Sequence, residues 1–403
     1  MKILLVNKFH YMKGGSERYY FTLAEGFKKL GHEVIFFAMQ DEKNIPCEQS
    51  GYFVSNASVG GGIKSKLNMV LHIAYSKQAY NNMKALLNAE KPDLVILNLV
   101  HKQITLSIID AIKEYDKNLP VFWTMHDLIT VCPAYTMLDG SGNICEKCLH
   151  GDFSNCIKNR CIKGSRLMSM LSEYEAKYIA KKGWYNDVDL FICPSEFYKN
   201  KLQQGKFTKS DIVCMRNPLP PETVFEVTSG DGGYALYFGR LSPEKGVKTL
   251  ICAAQSANIP LLVLGTGPIE GELKEFAKDM KNVTFGGFRQ GRELTDSIAR
   301  AKCVVLPSEW YENGPYSAME AMALGKPLIV SDNGGLPELV EDGVNGYIFS
   351  DERQLAAAIK NMFALPDSDY EAMCASSLDK AKTLFDWKSY IEKLIELQAQ
   401  YRG

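Results

Sequence analysis

Residues 303–331, CVVLPSEWYENGPYSAMEAMALGKPLIVS, give the clearest indication of the fold of this chain. The apolar run at their start is ended by Pro307, and a second apolar run, Leu328–Val330, follows the helix-stopping Gly325. Between the two runs we expect a helix, and Pro315 suits its first position because proline lacks the amide hydrogen that would be unpaired there. The pattern predicts a strand, a loop, a helix and another strand, which is the repeating unit of a parallel α/β sheet.

Two acidic residues, Glu312 and Glu320, stand on either side of the Gly-Pro turn in this segment. Glu312 is expected at the carboxyl end of a parallel strand, where ligands bind in open α/β sheets, and Glu320 between one and two turns inside the helix. The start of the helix favours an anion. A capped surface helix with two solvated acids would explain such a pair in isolation. With these flanking strands, the pair favours an extended ligand that carries phosphate and hydroxyl groups, such as a nucleotide-sugar.

Apolar strand patterns alternate with helical patterns along the whole chain, which predicts parallel sheets covered on both faces. A Pro- and Gly-rich stretch at residues 217–233 is typical of a linker between domains, and the last segment, Trp387–Tyr401, is an amphipathic helix. The sequence therefore predicts two doubly wound α/β domains. The expected strands are Ile3–Val6, Val34–Ala38, Leu94–Leu97, Val121–Thr124, Leu190–Cys193, Ile212–Met215, Ala235–Phe238, Leu261–Leu264, Val283–Phe285, Val304–Leu306, Leu328–Val330 and Gly346–Ile348.

Length and composition agree with two globular domains: the chain has 403 residues, of which 46% are hydrophobic. No run approaches the length of about 18 apolar residues that a membrane-spanning helix needs. The amino terminus leads directly into a strand pattern, so we expect no signal peptide. Eleven cysteines without a secretory signal suggest a reducing compartment, and the expected location is the cytoplasm.

The net charge of −1 hides an asymmetry, because residues 1–217 carry a net charge of +7 and residues 218–403 one of −8. The basic excess is concentrated at Lys64, Lys66, Lys77 and Lys84, and between residues 158 and 209. Solvated helix faces are one explanation. The alternative is a first domain that rests on anionic lipid at the inner membrane face. Nucleic acid is not expected as a partner, because no known nucleic-acid-binding motif accompanies the charge.

Three groups of motifs share one resemblance: residues 307–327 with Gly334–Val340 and Gly343–Gly346, then Gly239–Gly246, and finally Gly14–Glu17. Together they resemble the retaining glycosyltransferases of family 4, whose GT-B fold has two Rossmann-like doubly wound domains facing each other across a cleft. The resemblance implies four parts. These are an acceptor-side domain over residues 1–217, a cysteine-rich insertion in it at about 127–165, a nucleotide-sugar-binding domain over 218–385, and a helix over 386–403 that crosses back to the first domain.

The same resemblance implies roles for particular residues. Arg240 and Lys245 would hold the donor diphosphate, Glu312 the sugar hydroxyls and Glu320 the ribose. His126, after strand Val121–Thr124, would position the sugar or contact the acceptor. The implied catalytic residues are Glu312, His126, Arg240 and Lys245, and the implied donor-binding residues are Gly15, Arg240, Lys245, Gly267, Glu312, Asn313, Gly314, Pro315, Tyr316, Ser317 and Glu320.

The implied reaction is a retaining transfer of a sugar from a nucleotide-diphosphate-sugar to a saccharide acceptor, with no cofactor required for catalysis. A lipid-linked acceptor in cell-surface polysaccharide synthesis is expected from the basic first domain. Two alternatives stay open: a nucleotide-sugar epimerase, and a non-catalytic sugar-nucleotide-binding subunit of a synthase. A dehydrogenase is disfavoured, because in Gly265–Gly271 the third glycine comes one position late for a dinucleotide-binding loop and Pro268 interrupts it. Gly267 is expected near the nucleotide base instead.

Four cysteines, Cys145, Cys148, Cys156 and Cys161, stand close together in a segment rich in Gly, Asp and Asn, with Cys132 upstream. One C-x2-C pair with two further cysteines suits a tetrahedral structural zinc ion, which would fix a segment too short for its own core. The spacing departs from common zinc patterns, so reduced thiols or a disulfide remain alternatives.

Overall fold

The computed structural model describes residues 1–55 and 73–402, and its contacts divide the chain into two compact units. Unit 1 contains Met1–Pro221 and the carboxyl-terminal segment from Trp387 on, and unit 2 contains Glu222–Asp386. Two of the basic positions singled out in the sequence, Lys64 and Lys66, lie outside the described residues.

Unit 1 is built on a six-stranded parallel sheet with the order β2-β1-β3-β4-β5-β6. Because the chain goes from β1 outward to β2 and then returns to β3 on the other side of β1, the strand order reverses between β1 and β3. The strands are β1 (Lys2–Val6), β2 (Glu33–Phe37), β3 (Leu94–Leu97), β4 (Val121–Thr124), β5 (Leu190–Cys193) and β6 (Asp211–Cys214). The helices between them are α1 (Gly15–Lys29), α2 (Lys77–Glu90), α3 (Ser107–Tyr115), α4 (Ser154–Lys158), α5 (Arg166–Lys182) and α6 (Glu196–Gly205).

Unit 2 repeats this architecture with a six-stranded parallel sheet of order β12-β11-β10-β7-β8-β9. Its order reverses between β7 and β10. The strands are β7 (Ala235–Phe238), β8 (Leu261–Leu264), β9 (Val283–Gly287), β10 (Cys303–Leu306), β11 (Leu328–Ser331) and β12 (Gly346–Phe349). The helices are α7 (Val247–Ala257), α8 (Glu270–Phe276), α9 (Gly291–Arg300), α10 (Tyr316–Ala323), α11 (Glu352–Ala364) and α12 (Asp367–Leu384).

The central strands are buried on both faces, which explains why they read as continuous apolar runs rather than as alternating patterns. All residues of β3, β4 and β5 in unit 1 are buried, and so are all residues of β7, β10 and β11 in unit 2. Each of the twelve predicted strands is present, with ends that differ from the prediction by at most two residues. The predicted fold class of two doubly wound α/β domains is confirmed.

The final helix, α13 (Trp387–Tyr401), packs on α1 and belongs to unit 1. The hydroxyl group of Tyr19 on α1 lies 2.8 Å from that of Tyr390 and 2.8 Å from that of Thr124. Further along α13, the amide group of Gln398 donates to the carbonyl oxygen of Asp93 at 3.2 Å. Among the described residues, we find no helix with the length and apolar character needed to cross a bilayer.

One local prediction is wrong. Pro315 was expected at the first position of the helix after Glu312, but α10 begins at Tyr316 and Pro315 is the capping residue before it. The reason is its extended backbone, with ψ at 131°, which lies outside the helical region although φ, at −72°, is ordinary for proline. The carbonyl oxygen of Pro315 still accepts the first hydrogen bonds of the helix, from the amide groups of Ala318 and Met319.

Candidate functional site

The loops that follow β7 and β10 leave the sheet of unit 2 at the same edge, on the two sides of the point where the strand order reverses. In open α/β sheets this switch point opens a crevice at the carboxyl ends of the strands, and ligands bind there. The loop after β7 carries Arg240 and Lys245, and the loop after β10 carries Glu312. The topology therefore places three of the predicted site residues at one crevice.

Glu312 and Lys245 meet directly. The ammonium nitrogen of Lys245 lies 2.5 Å from Oε1 of Glu312, although the two residues are 67 positions apart in the sequence. The same carboxylate oxygen also accepts hydrogen bonds from the hydroxyl group of Ser308 at 2.6 Å and from the indole N–H of Trp310 at 2.9 Å. Among the described residues, the second carboxylate oxygen, Oε2, has no hydrogen-bond donor. One oxygen of Glu312 is thus fixed by the protein, and the other is available to a ligand.

The carboxyl group of Glu312 is ionised at neutral pH even though only 6% of the residue is exposed. Burial alone would raise its pKa, but the charge of Lys245 and the hydrogen bonds from Lys245, Ser308 and Trp310 together lower the pKa below its ordinary value. A buried carboxylate with this support is a fixed negative charge, suited to holding sugar hydroxyls and to stabilising positive charge on a sugar ring.

The backbone of Glu312 is held by the glycine pair that follows β11. Gly334 forms a parallel bridge with Glu312, and the amide group of Gly335 donates to the carbonyl oxygen of Glu312 at 2.7 Å. Gly334 has a φ of +68°, and a Cβ atom at this position would lie 2.3 Å from the carbonyl oxygen of Glu312. Only glycine meets both conditions, so the Gly-Gly motif read from the sequence supports the position of Glu312.

The loop that carries Lys245 is packed against the end of β10. A Cβ atom at Gly246, whose φ is +65°, would lie 1.9 Å from the carbonyl oxygen of Pro307. The amide group of Glu309 donates to the carbonyl oxygen of Glu244 at 2.9 Å. These backbone contacts fix the distance between the two loops, so the approach of Lys245 to Glu312 is set by the scaffold.

Arg240 and Gly267 lie on neighbouring loops of the same sheet edge. The hydroxyl group of Tyr237 donates to the carbonyl oxygen of Arg240 at 2.8 Å, while the exposed guanidinium group makes no ion pair within the described part of the chain. Gly267 packs so closely on this loop that a Cβ atom would lie 2.1 Å from the carbonyl oxygen of Leu241. The side chain of Arg240 is therefore accessible to an anionic ligand, while Gly267 shapes the loop behind it.

The start of α10 lies beside the Glu312 loop. Asn313, Gly314 and Pro315 connect the two, and the first two helical residues are Tyr316 and Ser317. Here the helix dipole is positive, which favours an anion. Glu320 is the fifth residue of α10 and is partly exposed. The predicted donor-binding residues of unit 2 thus lie around the carboxyl ends of β7, β8 and β10.

The other two predicted site residues, Gly15 and His126, are in unit 1. Gly15 is the exposed first residue of α1, after β1, and His126 follows β4. Nε2 of His126 lies 3.0 Å from Oδ1 of Asn98, and its ring packs against Tyr19. Burial lowers the pKa of His126 to about 3, so the imidazole is neutral at physiological pH and can exchange hydrogen bonds with a hydroxyl group.

Several polar residues of unit 1 were not among the predicted site residues. Lys8 follows β1, Asp127 follows β4, and the buried Glu175 comes from α5. Burial lowers the pKa of Lys8 to about 8 and raises the pKa of Asp127 to about 6 and that of Glu175 to about 7. The rule that identified His126, a polar residue after a parallel strand, would have found Lys8 and Asp127. Glu175 could be recognised only from its place on the buried face of a helix.

Two residues next to Glu312 were also missed. Ser308 and Trp310 hold Oε1 of Glu312, and the carbonyl oxygen of Ser308 is itself fixed by the hydroxyl group of Ser331 at 2.7 Å and the amide group of Asn333 at 3.0 Å. Ser308 is four residues and Trp310 two residues before Glu312 in the same loop, and this closeness was the only indication in the sequence that they contact it. Neither residue type suggests a ligand by itself, because serine and tryptophan are common in loops.

The cysteine-rich segment brings its thiols near one another in unit 1. Burial and the neighbouring thiols raise the pKa of Cys132 to about 11 and that of Cys148 and Cys156 to about 12. Without a cation these groups are protonated, and a bound Zn²⁺ would reverse that preference. Within residues 1–55 and 73–402, no three or more His, Cys, Asp or Glu side chains are arranged so as to hold a metal ion. The zinc site formed by Cys145, Cys148, Cys156 and Cys161 stays a prediction.

Metal analysis tests this prediction. Protein purified without chelator is expected to contain about one zinc ion per chain, as a tetrathiolate site would bind. A Cys145→Ser/Cys148→Ser variant should lose the metal and melt at a lower temperature. Cys252→Ser, in unit 2, should keep the metal and the melting temperature of the wild type. Metal-free wild-type protein with the same melting temperature as the double variant would remove the proposal.

Comparison with known proteins places these two units in one family. The sequence profile described as Glycosyltransferase Family 4 matches residues 13–223, and the profile described as Glycosyl transferases group 1 matches residues 223–376. An uncharacterized glycosyltransferase of Methanocaldococcus jannaschii is 27% identical over 189 residues, which are 46% of this chain and 52% of that protein. The lipopolysaccharide 1,2-N-acetylglucosaminetransferase of Salmonella typhimurium is 28% identical over 182 residues, 41% of this chain and 48% of that protein. The chain spans about half the length of these curated relatives.

A solved structure extends the likeness in fold to both units. The crystal structure of Anabaena HepE in complex with UDP and glucose aligns with a TM-score of 0.67 at 18% identity, covering 99% of this chain and all of that one. Together with the two parallel six-stranded sheets, this match confirms the predicted GT-B fold class. Because the family profile covers more than half of the residues and a second glycosyltransferase profile continues where it ends, the chain belongs to the family 4 glycosyltransferases.

Proposed function

We propose that this protein is a retaining glycosyltransferase that moves a sugar from a nucleotide-diphosphate-sugar to a saccharide acceptor. One observation carries the proposal: an ionised carboxylate, Glu312, and an ammonium group, Lys245, are held together at the strand-order switch point of unit 2. A nucleotide-sugar needs both, since its diphosphate is anionic and its sugar carries hydroxyl groups. The family membership supports the same reaction class.

The diphosphate would be held by Arg240 and Lys245. The guanidinium group of Arg240 presents a planar fork of donors, and the ammonium group of Lys245 has three N–H groups, of which Glu312 uses one. Lys245 can therefore keep Glu312 and bind a phosphate oxygen at the same time. The positive start of α10, at Tyr316 and Ser317, adds a third contact. Because negative charge grows on the departing diphosphate, these groups stabilise the transition state more than the bound donor.

The two acids would hold opposite ends of the donor. Oε2 of Glu312 would accept hydrogen bonds from sugar hydroxyls, and Glu320, more than one turn along α10, would accept them from the ribose. The carboxylate of Glu312 would also stabilise the positive charge that an oxocarbenium-like sugar acquires as its bond to phosphate breaks. Roles for Gly15 and His126 toward the donor phosphate and sugar rest on the family resemblance.

Retention would follow a front-face route. The bond from the anomeric carbon to the diphosphate oxygen breaks, the acceptor oxygen forms its bond on the same face, and the acceptor proton passes to the departing phosphate oxygen. This route needs no protein nucleophile, in contrast to retaining glycosidases, which form a covalent glycosyl-enzyme. Neither does it need a metal ion, because Arg240 and Lys245 neutralise the leaving group.

For the acceptor, we propose a lipid-linked saccharide used in the synthesis of cell-surface polysaccharide. The name of the Salmonella typhimurium relative states that it acts on lipopolysaccharide, and the net charge of +7 on residues 1–217 suits an anionic membrane surface. Under this proposal the protein works at the cytoplasmic face of a membrane without spanning it.

A panel of nucleotide-sugars, beginning with UDP-glucose, tests the donor half of the proposal. A donor at about a hundredfold excess over its Kd stabilises the folded state by about 2.7 kcal/mol. In a unit of this size that is a rise in melting temperature of roughly 5–10 °C. Lys245→Met should reduce the rise, whereas Lys248→Met, on the exposed side of α7, should leave it unchanged. No rise with any member of the panel, together with no hydrolysis of any of them, would contradict the proposal.

A further inference from the structure

Helix α5 of unit 1 presents an apolar stripe to solvent. Leu167, Met170 and Tyr174 are 57%, 48% and 37% exposed. They are spaced three and four residues apart, so they lie one above the other on a single helix face. Single exposed apolar residues are ordinary on protein surfaces, but three on adjacent turns of one helix form a continuous patch.

An adjoining face of α5 is already packed in the unit. Leu171, Glu175 and Ile179 are buried, and Oε1 of Glu175 accepts a hydrogen bond from the amide group of Lys102 at 3.0 Å. Ser165 caps the start of the helix by accepting from the amide group of Met168. The orientation of the helix is thus fixed, and the outward position of the apolar stripe is part of the fold.

The exposed charges on α5 itself have a single sign. The only acids on α5, Glu173 and Glu175, are both buried, and Glu173 pairs with Lys177. The exposed ionisable residues of the helix are all basic: Arg166, Lys177, Lys181 and Lys182. Two further exposed cations, Arg160 and Lys163, come just before it. Of these, Arg160, Lys163, Arg166 and Lys181 make no ion pair with any described residue.

We propose that this surface, the exposed face of residues 160–182, docks unit 1 on a membrane that contains anionic lipid. An apolar stripe bordered by lysine and arginine matches a helix that lies in the plane of the bilayer interface, with its apolar side chains below the headgroups and its cations among the phosphates. A protein partner would need an acidic surface around an apolar groove. An anionic bilayer has both properties, because its headgroups are negatively charged and its acyl chains are apolar. The inference rests on the proposed lipid-linked acceptor, for which membrane docking would place the enzyme at its substrate.

Vesicle sedimentation tests the inference with the full-length protein. Wild-type protein is expected to bind vesicles of phosphatidylcholine mixed with phosphatidylglycerol, to bind phosphatidylcholine alone far less, and to lose binding as salt screens the charges. Each basic residue near an anionic surface contributes about fivefold to partitioning. A Lys163→Gln/Arg166→Gln/Lys181→Gln variant should therefore bind roughly a hundredfold less tightly.

A second variant removes the apolar stripe alone. Leu167→Ser/Met170→Ser/Tyr174→Ser should also lower partitioning, by at least about tenfold, because apolar burial drives insertion. The matched controls in unit 2 are Lys248→Gln/Lys274→Gln/Lys278→Gln, and Phe288→Ser, whose side chain is the most exposed of the large apolar residues described. Both controls should bind vesicles as the wild type does. Since all these positions are exposed, the variants should fold normally and keep the donor-induced rise in melting temperature.

The outcomes separate docking from catalysis. Equal binding of wild-type protein to both kinds of vesicle, or unchanged binding of either 160–182 variant, would overturn the docking surface. So would a soluble acidic protein that binds this face and blocks the vesicles. If wild-type protein binds vesicles but no nucleotide-sugar raises its melting temperature, the proposed function is wrong and the docking surface is still supported.

Discussion

Replacing Glu312 by glutamine is expected to lower kcat by about 10²–10³-fold while the donor KM changes little. Glutamine keeps the size of the side chain but removes the negative charge that faces the sugar and pairs with Lys245. The lost stabilisation concerns mainly the transition state, in which positive charge develops on the sugar ring. Steady-state kinetics over a range of donor concentrations, at saturating acceptor, separate the two parameters.

Two other glutamate substitutions serve as a contrast and a control for Glu312→Gln. Glu320→Gln should chiefly raise the donor KM, because a ribose contact is the same in the bound donor and in the transition state. Glu309→Gln is the matched control, since Glu309 is an exposed acid three residues from Glu312 in the same loop. The kcat of Glu309→Gln should stay within about twofold of the wild-type value, because exposed side chains outside a site usually have small effects when they are replaced. Equal effects on kcat and KM in both Glu312→Gln and Glu320→Gln would contradict the division of roles.

Replacing Gly334 by alanine is expected to destabilise unit 2 by about 3–5 kcal/mol and to abolish most of the activity. The added Cβ atom would lie 2.3 Å from the carbonyl oxygen and 2.5 Å from the amide nitrogen of Glu312, and these are backbone atoms with little freedom to move. Thermal unfolding should show a fall in melting temperature of roughly 6–20 °C for this unit.

Gly343→Ala separates the clash from the backbone strain. Gly343 also has a positive φ, +78°, but no heavy atom lies within 4 Å of the position that its Cβ atom would take. The control should therefore cost only the left-handed strain of about 1–2 kcal/mol, with kcat nearly unchanged. If both variants lose the same stability and activity, contact with the Glu312 backbone is not what requires glycine at position 334.

The sequence predicted the fold well because buried parallel strands leave a strong and local signal. Runs such as Leu94–Leu97 and Ala235–Phe238 were placed without error, since both faces of these strands are covered and polar residues are excluded from them. The end of a helix is a weaker signal. Pro315 could be the first helical residue or the cap before it, because its fixed φ suits both, and only ψ distinguishes them.

The candidate site, which stays a prediction, was identified from residues whose charge and whose position after a strand both indicate a ligand. Glu312, Arg240 and Lys245 are charged residues after strands, and the topology brings the loops that carry them to one edge of the sheet. The support around Glu312 was not predictable in the same way. Nothing in the sequence indicated that Trp310 donates to a carboxylate. In unit 1, the burial of Glu175 was not predictable either, because it depends on how α5 packs and not on the periodicity of the helix alone.

A crystal structure of the protein with a bound nucleotide-sugar would show whether the switch point of unit 2 holds the diphosphate of an activated sugar. We expect phosphate oxygens within hydrogen-bond distance of the Arg240 guanidinium group and the Lys245 ammonium group, with a sugar hydroxyl on Oε2 of Glu312. A nucleotide-sugar bound elsewhere on the protein, with these three side chains contacting none of it, would show that the donor site is not at this switch point.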